Sequence, residues 1–176
     1  MKINQNRGSQ PVNHFNDYTK EQGEEEVIDS KVIKRITTDE IDTFEIINSM
    51  KDKKGKSGAT VIFVGSVRNY GNNGLVKGMF YESYVKMAEI QIKNIEKEAA
   101  KKWDIKKIRI VHRIGTMKLG CNSIVIALST PHSKEAFEAC EFILAAIKRQ
   151  VPIWKKEILS DNKKKWVVGN PLNKYK

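Results

Sequence analysis

Four basic residues are placed where they could do chemistry: Arg68, His132, Lys148 and Lys155. Arg68 follows one apolar run and His132 follows another. Lys148 closes an amphipathic stretch, and Lys155 lies beyond a proline. Arginine suits a bidentate grip on phosphate. Two lysines brought close together lower each other's pKa by like-charge repulsion. A lysine so perturbed acts as a nucleophile or general base near neutral pH. Lys148 and Lys155 sit on different elements, so only the fold can unite them. A plainer reading stands beside this one: Lys148 and Arg149 in the last turn of a helix are favoured by its dipole, at about 0.3–1 kcal/mol each. No carboxylate pair, Ser-His-Asp order, glycine-rich phosphate motif or metal-ligand spacing competes with the basic set. Glu82 reads as a structural partner for one of the cations. His112 with Arg113 is a lesser functional candidate, and alone on an apolar strand face His112 reads first as a core residue. The three tryptophans read as core or interface anchors.

The elements that must position these residues are legible between Ala127 and Leu159. Thr130 precedes Pro131, which keeps the chain extended. Ser133 is suited to cap a helix, with Glu135 in the first turn. Ala136, Cys140, Ile143 and Ile147 share one face, with Phe137 and Leu144 beside it. Pro152 ends the helix near Gln150. A strand carrying Lys155 and Lys156 follows, and IWKKEIL with KKKWVV forms a closing hairpin around Ser160-Asp161-Asn162.

Upstream, residues 1–30 are poor in apolar side chains and contain Glu24-Glu25-Glu26, the composition of a flexible tail. A short strand is expected over Lys31–Ile36. Thr37 and Glu40 match a capping box. The helix behind it would show Ile41, Phe44 and Ile47 to the core and stop at Gly55. GATVIFVGSV at 58–67 predicts a central strand covered on both faces. YGNNGLVKG predicts a mobile loop, and MFYESY a returning strand. Val85–Trp103 predicts a helix with Ala88, Ile92, Ile95, Ala99 and Trp103 inward. Lys106–Ile114 alternates as a strand, Gly115–Asn122 connects, and Ser123–Thr130 is a buried strand.

Composition sets the outer bounds. The chain has 176 residues and a net charge of +11, with 32 Lys plus Arg against 21 Asp plus Glu. That balance implies an anionic partner: nucleic acid, an acidic protein or a phosphorylated small molecule. No apolar run approaches the ~18 residues of a membrane span, and the first thirty residues lack a signal-peptide core. Two cysteines, Cys121 and Cys140, form no CxxC pair, so a reduced, cytoplasmic protein without structural zinc is expected. Cys121 is a secondary candidate for carrying a persulfide.

Four segments together resemble a known family: GSVRN at 65–69, HRIG at 112–115, PHSKEAFEA at 131–139 and KRQVPIWKKE at 148–157. They look like the catalytic (large) subunit of molybdopterin synthase, over roughly residues 31–168. The resemblance implies an α+β fold, an α/β hammerhead with a small additional antiparallel β subdomain, here spanning 31–170 between the tail at 1–30 and a short one at 171–176. It implies a homodimer within a heterotetramer. The partner is a small ubiquitin-like sulfur carrier ending in a Gly-Gly thiocarboxylate. The reaction implied is transfer of two sulfurs to cyclic pyranopterin monophosphate, giving the molybdopterin dithiolene, with no metal and no cofactor. Residue by residue, the family's essential lysine matches Lys148 and its second pocket lysine matches Lys155. Its VRN arginine matches Arg68, and the histidine opening the helix matches His132. In these roles Arg68 and His132 hold phosphate and pterin, Lys148 meets the carrier's C-terminus, and Lys155 stabilises developing negative charge.

Two positions depart from the family pattern. Many members carry arginine directly after the histidine, where this chain has Ser133 and then Lys134. Many also have a basic residue where this chain has Asn170. Lys134 is therefore expected to help bind the precursor weakly, as a point charge. The rival reading is a basic RNA-binding module. The net charge and the lysine runs at 51–56 and 163–165 favour it. The lack of an RNP-like aromatic motif, a KH-type GXXG loop or a zinc knuckle opposes it.

Overall fold

The computed structural model describes residues 34–167. The expected tails at 1–30 and 171–176, the first half of the expected first strand and Asn170 lie outside the described residues.

The core forms around β7 (Asn122–Thr130), whose residues Ile124–Leu128 are all buried. It belongs to a four-stranded sheet with the order β1 (Ile36–Thr37), β5 (Lys107–Arg113), β7, β2 (Ala59–Ser66). β5 and β2 pair antiparallel to β7, and β1 runs parallel to β5. The run at 59–66 is thus an edge strand and not the expected central one. Val61 and Ile62 are half-buried while Thr60 and Val64 are exposed, and the strand covered on both faces is β7.

Two long helices cover one face of this sheet. α2 (Val85–Lys102) buries Ala88, Ile92, Ile95 and Ala99 completely, as their spacing of four, three and four predicts. α3 (Ser133–Gln150) buries Ala136, Ala139, Cys140, Ile143, Ala146 and Ile147. Its alanines let the two helices approach closely. Phe137, expected beside that face, is exposed. On the other face, α1 (Thr43–Ser49) packs Ile46 and Met50 against Val111, Val125 and Ala127. Thr37 and Glu40 form no capping box. Thr37 lies in β1, and its hydroxyl accepts from the Asp39 N–H, while Asp42 caps α1 by accepting from Glu45 N–H at 3.0 Å. The later start rotates the helix, so Phe44 and Ile47 face solvent and Ile46 turns inward.

The second sheet is wholly antiparallel, in the order β3 (Tyr70–Gly71), β4 (Gly74–Ser83), β8 (Ile153–Leu159), β9 (Lys164–Trp166), with β6 (Gly115–Lys118) also paired to β4. This is the added β subdomain. Two expectations fail here. The 70–78 stretch is a tight hairpin with Asn72-Asn73 at its turn, because Gly71 and Gly74 pair directly. The supposed connector after Ile114 contains β6, reached by a kink at Gly115, whose φ of 94° favours glycine. The closing hairpin β8–β9 forms as expected.

Candidate functional site

Three of the basic residues come from different elements at one end of the first sheet. β2 ends in a register shift at Gly65/Ser66. The Ser123 hydroxyl donates to the Gly65 carbonyl at 3.0 Å. Buried Val67 is then held on both sides: its N–H donates to the Cys121 carbonyl and its carbonyl accepts from Gly120. Arg68 emerges from that anchor into solvent. Its Nε donates to the Tyr70 carbonyl at 3.0 Å, and its guanidinium lies 4.4 Å from the centre of the Tyr70 ring.

Lys148 is exposed in the last turn of α3. The stop at Pro152 is fixed by Tyr84 N–H and Ser83 Oγ, which both donate to the Pro152 carbonyl. That seam lays β8 along β4 with Lys155 opposite Tyr81. The Lys155 ammonium is held below the ordinary lysine range. Lys155 is exposed along its side chain, and loss of hydration on the side of the ammonium turned to the protein is the main cause; Arg68 and Lys148 add repulsion, and Glu157 works the other way. Lys155 is therefore within electrostatic reach of both other cations, the mutual arrangement the sequence left open.

Glu157 was not anticipated. The carboxylate is buried at 3% exposure and accepts from the Asn72 N–H, the Asn73 N–H and Asn73 Nδ2, the last at 2.7 Å. It pins the hairpin that holds Arg68. A side chain on Gly71 would start 1.9 Å from the Glu157 Oε1. The available signal was alternation: Lys155, Glu157 and Leu159 share one face of β8, and the apolar Leu159 shows that this face turns inward. Glu82 occupies the opposite face, where it lines an open groove with Trp154 and Trp166. Those two tryptophans are about half exposed and not core, while Trp103 packs on Phe142 with ring centres 5.3 Å apart.

His132 and Lys134 are not brought to this cluster within one protomer. The 18-residue α3 spans about 27 Å, and they stand at its far end. His132 itself is the N-cap residue, without a side-chain cap bond, and Ser133 is already helical. The expected serine cap does not form. The Thr130 hydroxyl instead donates to the His132 carbonyl at 2.7 Å. Lys134 is exposed and lies 3.9 Å from Glu138.

His112 is a core residue, as its position suggested. It is 6% exposed, its Nδ1 is 2.9 Å from the Arg113 carbonyl, and burial lowers its pKa to about 4. Cys140 is buried and Cys121 half-buried, and both are free thiols. Among the described residues no group of three or more His, Cys, Asp or Glu could hold a metal ion. No described helix is long and apolar enough to cross a membrane.

The model of the MoaE protein family matches residues 36–150. The chain belongs to that family. A molybdopterin synthase catalytic subunit of Thermoplasma volcanium is 40% identical over 131 residues, 74% of this chain and 94% of that one. The Bacillus subtilis catalytic subunit is 40% identical over 132 residues, 75% of this chain and 82% of its own. Among solved structures, the Staphylococcus aureus molybdopterin synthase superposes with a TM-score of 0.70 at 36% identity, covering 76% of this chain and 96% of that chain. A Helicobacter pylori chain, solved as a complex of subunits 1 and 2 of molybdopterin-converting factor, shares the fold at 22% identity and a TM-score of 0.63, covering 76% of this chain and 88% of that chain. As a MoaE protein the chain is an enzyme, a sulfurtransferase of molybdenum cofactor biosynthesis, and the RNA-binding alternative finds no support.

Proposed function

We propose that Lys148, Lys155 and Arg68 line the pocket in which sulfur passes from a carrier's C-terminal thiocarboxylate to cyclic pyranopterin monophosphate. The observation that carries this reading is the depression of the Lys155 ammonium by partial loss of hydration and by the fields of Arg68 and Lys148, which come from two other elements. A pocket so charged attracts a carboxylate-like tail and a cyclic phosphate alike. Lys148, at the helix end and in solvent, meets the carrier's C-terminus and assists attack or proton transfer. Lys155 stabilises the negative charge that develops during the transfer. Arg68 grips the phosphate.

The partner is a small ubiquitin-like carrier with a Gly-Gly terminus, and the working assembly is a homodimer of this chain with one carrier on each protomer. His132 supports the dimer in this reading. It lies about 24 Å along α3 from Lys148, so it reaches a pterin held at Lys148 only from a second protomer. Two free thiols suit a reducing compartment, the cytoplasm.

The test mixes this protein, a thiocarboxylated carrier and the pterin precursor, and scores dithiolene product. Product formed in proportion to carrier consumed supports the reading. No product, together with salt-sensitive RNA binding that ignores Lys148, returns the RNA-binding module.

A further inference from the structure

We propose that Tyr81 is a positioning residue for Lys155, its ring covering from water the one side of the lysine that faces the protein. This rests on the reading of Lys148 and Lys155 as the sulfur-transfer pocket.

Tyr81 stands where the two sheets part. β5 runs beside β7 as far as the His112–Ile124 pair, then kinks at Gly115 and joins β4 as β6. At this junction the Tyr81 ring meets His112 edge-on, with centroids 5.2 Å apart and planes at 65°. It also packs against the buried cluster of Val67, Met79 and Met117. Its phenol oxygen is within reach of the Ser123 hydroxyl. That hydroxyl donates in turn to the Gly65 carbonyl, at the register shift from which the chain runs to Arg68. Across β4, Tyr81 is directly opposite Lys155. Directly opposed residues of antiparallel strands project from the same face with Cβ atoms about 5 Å apart.

The pairing is chemically selective. Burial pushes the phenol's pKa up, so the ring beside Lys155 stays neutral. It displaces water without offering a countercharge, which disfavours the ammonium form of its neighbour. The charged groups acting on Lys155 are Glu157 on its own strand, Arg68 beyond β2 and Lys148 on α3. Replacing Tyr81 leaves all three in the chain, so it changes solvent access and not the charge count.

The test reads Lys155 itself. In the full chain carrying 13C-labelled lysine, the Lys155 resonance is assigned by its loss in Lys155→Arg and followed against pH. Tyr81→Phe keeps the ring and should titrate with the wild type. Tyr81→Ala should titrate higher by at least about half a unit, and the alkaline limb of sulfur transfer should move with it. Tyr81→Thr is the companion variant, since a β-branched residue suits a strand if alanine fails to fold. An unchanged Lys155 titration in a folded Tyr81→Ala or Tyr81→Thr protein overturns the proposal. So does a Tyr81→Phe shift as large as alanine's, which would assign the effect to the hydroxyl. The resonance titrates whether or not the protein transfers sulfur. A moved titration in a protein without transfer activity would therefore overturn the function and leave the positioning role standing.

Discussion

Arg68 and Lys134 separate the two ways a cation can serve an anionic substrate. Arg68 is braced by the Tyr70 carbonyl and ring, so its planar fork is oriented before a phosphate arrives. Lys134 is a solvated ammonium beside Glu138 at the opposite end of α3. Arg68→Ala should raise the apparent Michaelis constant for the precursor at least about tenfold, or ~1.4 kcal/mol, and Lys134→Ala less than about threefold at physiological salt. A larger effect of Lys134→Ala would place the phosphate at the helix entry. His112 makes a different prediction, about stability. Its folded pKa of about 4 lies below the unfolded 6.5, so between these values the unfolded chain binds a proton that the folded chain refuses. Stability is therefore full above pH 6.5 and falls as the pH drops toward 4, by up to about 3 kcal/mol. Urea unfolding at pH 7.5 and pH 5 measures the loss, and His112→Gln should flatten it. At this scale the sequence disclosed the cations, since arginine and lysine after apolar runs are conspicuous. It concealed Glu157, because an acid beside two lysines looks like surface until the register of β8 turns it inward.

At the scale of elements, the β3–β4 hairpin is the part that function leans on most and pattern described least. Two asparagines between glycines looked like a mobile loop. What orders them is a carboxylate far along the chain, whose three accepted hydrogen bonds replace the missing apolar contacts. Gly71→Ala is the direct probe, because the new methyl collides with that carboxylate. It should cost about 1–3 kcal/mol of unfolding free energy by breaking a buried polar contact, and also weaken precursor binding through Arg68. Unchanged urea midpoint and Michaelis constant would show the clasp to be incidental. The long helices were legible because their apolar spacing was decisive. α1 was not: Asp42 competes with Thr37 as a cap, and a shift of a few residues rotates a short helix onto another face. β2 was misjudged as central because a β-branched run has the same composition on an edge as in the middle of a sheet. β6 escaped notice because four residues after a kinked glycine carry too little pattern.

At the scale of the molecule, the fold divides the basic residues between two ends of α3, and the proposed dimer is what reunites them. Lys148→Ala and His132→Ala subunits, each impaired alone, should then complement when mixed and refolded. Each mixed dimer restores one intact pocket, so activity returns to about a quarter of wild type if subunits pair at random. No recovery would place the whole pocket within a single protomer. The central claim is narrower: the lysine closing α3 performs the transfer. The measurement is dithiolene formation in a single turnover, with thiocarboxylated carrier and precursor, by Lys148→Ala protein whose oligomeric state and carrier affinity match the wild type. The account predicts no detectable product from that complex. Product at more than about a tenth of the wild-type rate, a barrier change below ~1.4 kcal/mol, would contradict it.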